Sequence, residues 1–175
     1  ATRRSQFSIS EERLPRAIYP GSFDPVHNGH VDVAVRASKV FDQLTIAVYD
    51  APPKQVLFST QERVDLFKES TAHLSNVDVI SFGGLVAPDL AQQLDAKFIV
   101  RGLRAGFDFE AEFEMALMWR NLDPDVDVVC LMSALQFQFV YSSRIKEVAR
   151  LGGDVRSLVP ASVYSAMKAK FASAS

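Results

Sequence analysis

Beyond residue 16 the chain alternates between short apolar runs and stretches in which apolar residues recur every three or four positions. The runs fall at 17–19, 44–49, 77–82, 98–100 and 126–132. Several are nearly continuous in apolar residues, as expected of strands buried on both faces of a parallel sheet. Between the first two, Val31, Val33, Ala34, Ala37, Val40 and Phe41 form a helical stripe. The next helix has a sharp start: Ser59 can cap it and Glu62 sits three positions on, a capping box, with Val64, Leu66, Phe67 and Leu74 following. Further helices are predicted over 88–94, 108–121, 142–151 and 161–171, the last two separated by Gly152-Gly153. Within 108–121, Phe109, Phe113 and Leu117 share one face, while Asp108, Glu110 and Glu112 suit the positive N-terminal end. The strand–helix alternation predicts an α/β fold, an open doubly wound five-stranded parallel sheet with right-handed crossovers. Residues 16–175 form one domain in this reading, and 1–15 a flexible N-terminal extension. Ligands of such sheets sit beyond the carboxyl ends of the strands, which is where chemistry is to be sought.

Composition narrows the partners. A length of 175 residues suits one compact domain. With 19 basic and 21 acidic residues the net charge is −2, so no bulk positive field exists to hold nucleic acid or an anionic membrane. The single cysteine, Cys130, excludes an internal disulfide or a Cys-rich zinc site, and inside its apolar run it reads as a buried packing residue. No apolar run approaches the roughly 18 residues of a membrane span. The first sixteen residues lack the apolar segment of a secretory leader, so a soluble, cytoplasmic protein is expected.

The densest chemistry lies between the first strand and the first helix, in residues 19–30, YPGSFDPVHNGH. Gly21 and Gly29 allow close backbone approach, Ser22 offers a hydroxyl, and the following helix start is a natural anion site. His27 and His30 stand three apart, so one helical turn can aim both at a phosphate. The same pair also suits ordinary surface histidines or half of a metal site, with Asp24 as the only nearby third ligand. The segment is neither Gly-x-Gly-x-x-Gly nor a Walker loop. Lys54 follows the second strand in a loop stiffened by Pro52 and Pro53; it is either a solvated charge or a phosphate ligand. Arg101-Gly102-Leu103-Arg104 follows the fourth strand and suits either a bidentate phosphate clamp or a pair of surface ion pairs. Ser142 and Ser143 open a helix, as ordinary caps, phosphate ligands or both. No Gly-x-Ser-x-Gly or other acyl-transfer signature is present. Cations and helix starts at strand ends, without a protein nucleophile, are what phosphoryl-type transfer to an already anionic acceptor requires.

His27-Asn28-Gly29-His30 matches the His-x-Gly-His signature of the nucleotidyltransferase superfamily. The longer string at 19–30 resembles the phosphopantetheine adenylyltransferase family, and the likeness continues through DAPPK (50–54), FSTQER (58–63), VRGLRAGFDFEAEFEMALM (100–118), SSRIKEVARLGGDV (142–155) and LVP (158–160). The resemblance implies a Rossmann-like fold and transfer of AMP from ATP to 4′-phosphopantetheine, giving dephospho-coenzyme A and pyrophosphate. It further implies Mg²⁺ as cofactor, a homo-oligomer (a hexamer) and feedback inhibition by coenzyme A. By match, His30 stabilises the transition state at the α-phosphate, and Ser22 with the Phe23 backbone lies between the two reacting phosphates. Lys54 and Arg101 hold the phosphate of phosphopantetheine. His27, Gly102, Leu103, Arg104, Phe137, Ser142 and Ser143 fall on the ATP side. Glu112 is either an ATP contact or helix N-terminal charge, and Val86 either a contact for the pantetheine arm or routine core.

Four positions depart from the family pattern: Trp119 replaces a common asparagine beside the pantetheine pocket, Tyr141 the first of three serines, and Gln136 and Gln61 two glutamates. Trp119 and Tyr141 are bulky at ligand-facing positions and leave two other readings in play. One is an adenylyltransferase with a different acceptor, such as a mononucleotide; the other is a non-catalytic nucleotide or coenzyme A binder. If Trp119 fills the channel of the pantetheine arm, Trp119→Asn lowers the KM for phosphopantetheine in steady-state kinetics. An unchanged or higher KM removes that idea.

Overall fold

The computed structural model describes residues 15–104 and 106–173; the extension expected over 1–15 lies, apart from its last residue, outside the described residues. The elements run β1 (Arg16–Gly21), α1 (Asn28–Ala37), β2 (Gln43–Tyr49), α2 (Thr60–Thr71), β3 (Val77–Phe82), α3 (Ala87–Gln93), β4 (Phe98–Leu103), α4 (Gly106–Leu122), β5 (Asp127–Met132), a 3-10 turn (Leu135–Phe137), α5 (Ser142–Arg150) and α6 (Ala161–Ala172). The strands form one parallel sheet in the order β3-β2-β1-β4-β5. This is the Rossmann-like, doubly wound arrangement expected.

Alternation along the strands sorts the core into two layers, because successive side chains point to opposite faces. Ala17, Tyr19, Leu44, Ile46, Val48 and Val100 pack with Val33 and Ala34 of α1, Phe67 of α2, and Val163 and Met167 of α6. Ile18, Ala47 and Ile99 face the other way, onto Ala87, Leu90 and Ala91 of α3, with Trp119 of α4 at the margin.

The site is opened by the pairing itself. β1 stays in register with β2 to its last residue, Gly21↔Val48, but pairs with β4 only at Ala17↔Phe98 and Ile18↔Ile99. Beyond that point β1 and β4 are no longer partnered, at the position where the winding of the sheet reverses. The crevice predicted from strand order therefore lies between them.

Two expectations change. β4 extends to Leu103, past the apolar run, because Arg101 and Gly102 remain opposite Cys130 and Leu131 in the ladder. Cys130 is exposed rather than buried, since β5 is an edge strand. Phe109, Phe113 and Leu117 do share one face of α4, but in the single chain that face is more than half exposed. No helix among the described residues is long and apolar enough to cross a membrane.

Candidate active site

A cavity of about 700 Å³ lies at the carboxyl ends of the strands. Ser22, Phe23, His27, His30, Lys54, Val86, Arg101, Gly102, Arg104, Glu112, Trp119, Phe137, Ser142 and Ser143 all line it. Leu103 is the exception: its side chain is buried in β4 and does not reach the wall. Two of the four departures from the family pattern, Trp119 and Tyr141, face the cavity. Gln61 is instead an exposed partner of Asp65, and Gln136 is exposed within the 3-10 turn.

The floor is built by the start of α1. His27 is its N-cap, and the two histidines form a reciprocal capping box. The His27 N–H donates to His30 Nδ1 and the His30 N–H to His27 Nδ1, both at 3.3 Å. The rings stack with centroids 3.5 Å apart. Because each Nδ1 accepts a hydrogen bond from a backbone N–H, the neutral imidazoles carry their proton on Nε2, which makes Nε2–H of His30 a donor for a ligand. Burial, helped by the nearby Arg104, pulls the His27 pKa down to about 3. His30 is held well below its ordinary value by burial and then by His27, Arg104, Arg101 and Lys54. Both rings are therefore neutral donors near pH 7. Gly29 lets the backbone come close: a Cβ there would meet the His27 ring at 3.1 Å and Phe137 Cβ at 3.3 Å, so these neighbours would have to give by a few tenths of an ångström. Phe23 takes a left-handed φ of +48°, which costs about 1–2 kcal/mol in a non-glycine residue. Its ring offsets that cost by packing edge-on against Tyr19, His30 and Phe67.

Both arginines arrive with a carboxylate attached. Glu112 accepts from Nε and Nη2 of Arg101, each at 2.6 Å, and Nη1 donates to Pro20 O at 2.9 Å. Burial opposes the Arg101 charge, and the Glu112 carboxylate more than offsets it, so the pKa is raised. Asp108 accepts from the backbone N–H, Nε and Nη2 of Arg104 at 3.0, 2.8 and 3.2 Å. Lys54 is exposed at the rim, and among the described residues its ammonium has no ion-pair partner. Glu112 thus has a definite place in the fold, as the residue that orients Arg101.

The structural roles of three site-building residues, Asp24 among them, escaped the sequence reading. The Asp24 carboxylate, almost wholly buried, accepts from the N–H groups of Leu57 and Phe58 and from Lys146 Nζ at 2.6 Å. Arg63, also fully buried, donates to the carbonyls of Ser22 at 2.7 Å, Tyr49 at 2.9 Å and Phe58 at 3.1 Å. It thereby ties the Ser22 peptide to the end of β2. Lys146 lies on α5, one turn after Ser142, whose hydroxyl donates to Pro25 O at 2.9 Å. A legible signal existed for Arg63: it shares the inner stripe of α2 with Phe67 and Thr71, all three buried. For Asp24 and Lys146, 122 residues apart, no local pattern marks the pair.

Among the described residues no cluster of three or more His, Cys, Asp or Glu side chains could cage a metal ion. The carboxylates in the cavity wall, Asp24 and Glu112, are engaged by Lys146 and Arg101.

The chain resembles known proteins in sequence and in fold. A family model described as cytidylyltransferase-like matches residues 18–148. The chain is 51% identical to a phosphopantetheine adenylyltransferase of Roseiflexus sp. strain RS-1, over 87% of this chain and 94% of that one. It is 53% identical to the protein of that name from Thermomicrobium roseum, over 89% and 95% of the two chains. The Clostridium botulinum (strain Alaska E43) protein of the same name is 50% identical, over 85% and 93%. In fold, the chain resembles the solved structure of a Vibrio parahaemolyticus protein described as a nicotinate-nucleotide adenylyltransferase, with a TM-score of 0.64 over 87% of this chain and 90% of that one, at 19% identity.

The neutral histidines have a consequence for stability. Their folded pKa values lie below the unfolded value of 6.5, so the unfolded chain takes up protons that the folded protein refuses. Stability therefore falls as pH drops from 6.5 toward 3, the window set by His27. In His27→Asn, which keeps an acceptor for the helix cap, one of the two groups is gone. Its stability deficit relative to wild type should shrink by up to about 1.4 kcal/mol per pH unit below pH 6. Denaturant unfolding at several pH values measures this, and a pH-independent deficit would contradict the assignment.

Proposed function

The chain belongs to the phosphopantetheine adenylyltransferases of the cytidylyltransferase-like family, and from that membership we propose that it transfers AMP from ATP to 4′-phosphopantetheine, giving dephospho-coenzyme A and pyrophosphate. The observation that carries this reading is the convergence of His30, Lys54, Arg101 and Arg104 on one cavity at the strand ends, in a chain half identical to proteins named for the reaction. A changed acceptor or a non-catalytic binder is not favoured: the phosphate-handling residues are intact and share that cavity.

The chemistry needs no protein nucleophile. An oxygen of the acceptor's phosphate, already anionic, attacks the α-phosphorus of ATP, forming the new P–O bond. The bond from the α-phosphorus to the bridging oxygen breaks, and pyrophosphate leaves with the electron pair. Catalysis is then positioning and charge stabilisation. We assign the Nε2–H of His30 to the non-bridging α-phosphate oxygens, where charge builds up. Lys54 and Arg101, with Ser22, hold the acceptor phosphate, and Val86 and Trp119 flank the pantetheine arm. Arg104, Gly102, His27, Phe137 and the start of α5 at Ser142 and Ser143 hold ATP. Each arginine keeps guanidinium N–H groups beyond those taken by its carboxylate, so neither ion pair prevents a phosphate contact.

Mg²⁺ fits this site as a companion of the triphosphate, bound chiefly by phosphate oxygens, as is usual for this ion. When bound it offsets charge on the phosphates. Self-association into a homo-oligomer, a hexamer by resemblance, is supported by the exposed apolar residues of α4 and by Met132 and Leu135, 69% and 83% exposed. Coenzyme A carries both a pantetheine arm and a nucleotide, which supports feedback inhibition at the same cavity. An ATP-consuming synthesis fits a cytoplasmic setting.

Pyrophosphate release from ATP should require phosphopantetheine, with no release for nicotinamide mononucleotide or in the absence of an acceptor; turnover with the mononucleotide would overturn the acceptor assignment. His30→Ala should lower kcat by about 10²–10³-fold, the usual effect of removing one preorganised donor to a developing oxyanion. Phe113→Glu on the exposed face of α4 should yield smaller species in sedimentation velocity than wild type does. A wild-type monomer would end the assembly proposal.

A further inference from the structure

Tyr141 stands where a serine would cap α5, and a tyrosine cannot do that job. It occupies the N-cap position with extended backbone, and its side chain makes no capping hydrogen bond. The ring instead lies in the cavity wall, with the Arg104 guanidinium carbon 3.9 Å from its centroid. That is well inside the roughly 6 Å limit of a cation–π contact. The edge of the same guanidinium is gripped by Asp108 through Nε and Nη2, while Nη1 reaches Val140 O at 3.3 Å. One planar group is thus fixed along its edge by a carboxylate and across its face by an aromatic ring. Of its five N–H groups, two are left for a ligand. Side-chain exposure is only 27% for Arg104 and 19% for Asp108, so solvent weakens this assembly less than it would on an open surface.

We propose that Tyr141 is a positioning residue for ATP: its ring stacks on Arg104 and holds the two remaining guanidinium N–H groups toward the nucleotide phosphates. The proposal rests on the assignment of Arg104 to ATP made above. The bulk of the side chain is taken up against the arginine. Stacking also explains what the chain gains where it gives up a helix cap. The requirement is for a flat π face, and the phenol hydroxyl is incidental to it. Trp119 stands in a similar relation to Arg101 at 5.9 Å, too loose to carry the same argument.

The test is steady-state kinetics on Tyr141→Leu, Tyr141→Ser and Tyr141→Phe, with thermal melts to verify folding. Leu keeps bulk without a π face, Ser restores the residue usual in the family, and Phe keeps the ring without the hydroxyl. Loss of the stack should raise the KM for ATP about five- to thirtyfold in the Leu and Ser variants. The KM for phosphopantetheine should stay unchanged, a split that general loosening of the fold does not produce. Tyr141→Phe should restore the KM for ATP to within about twofold of wild type. A Leu or Ser variant with wild-type KM for ATP overturns the proposal, as does a Phe variant as impaired as Leu. An Arg104→Ala control separates the levels. If Arg104→Ala is impaired while Tyr141→Leu is not, only the stack is lost. If Arg104→Ala binds ATP normally, the assignment of Arg104 falls with it.

Discussion

A buried carboxylate holds the site together. Asp24 sits just past the end of β1 and is almost wholly removed from water, which a charged group tolerates only when paired and hydrogen-bonded. Its requirements are met from two distant parts of the chain: the N–H groups of Leu57 and Phe58 just before α2, and the ammonium of Lys146 on α5. Satisfying one charge therefore draws three segments to one place. They are the loop that carries Ser22 and leads into His27, the segment after β2 that carries Lys54, and the helix opened by Ser142 and Ser143. Removing one partner of such a buried pair costs about 3–5 kcal/mol in general, a large part of the stability of a domain this size. Arg63 strengthens the same joint by donating to the carbonyls of Ser22 and Tyr49, so the ends of β1 and β2 cannot drift apart.

The joint delivers its geometry through α1. A capping box is ordinarily a device for starting helices, built from a hydroxyl or carboxylate side chain. Here both members are imidazoles, and the hydrogen bond that each Nδ1 accepts from a backbone N–H fixes the tautomer of the ring. Helix initiation and the proposed role of His30 meet at this point. The bonds that begin the helix also leave the Nε2–H of His30 free, and burial, helped by the surrounding cations, keeps that ring neutral, a donor that does not add to the local positive charge. Neutral donation suits an oxyanion that exists only during the reaction, because it stabilises developing charge without binding the ground state indiscriminately.

How much of this was legible depends on whether the causes are local. Strands β1 to β5 fall within three residues of the apolar runs, because burial on both faces writes a continuous signature. The Ser59–Glu62 capping box is present as read, since its partners are three residues apart. The misreadings all concern neighbours that the chain pattern does not name. Cys130 lies in an apolar run but on an edge strand. The structural roles of Asp24, Lys146 and Arg63 were passed over because their partners are backbone groups or residues far along the chain. The site residues were legible through motif resemblance, yet the role of Glu112 as the orienting partner of Arg101 needed the eleven-residue span from β4 into α4 in three dimensions.

That pairing bears on how a chain of net charge −2 handles two polyanionic substrates. A site of bare arginines would attract phosphates of any kind and let the side chains wander, so that each binding event must first order them. Glu112 and Asp108 remove both problems. Each takes one edge of its guanidinium in a bidentate grip, which spends N–H groups but fixes the plane of the rest. The carboxylates also cancel most of the local charge, so net attraction is low until a ligand supplies several phosphate oxygens at the right positions. Lys54, at the rim and without an ion-pair partner among the described residues, is in its proposed role the cation that can engage an incoming phosphate early. Selectivity for substrates that present phosphates at two defined places follows from this division between restrained arginines inside and a free lysine at the edge.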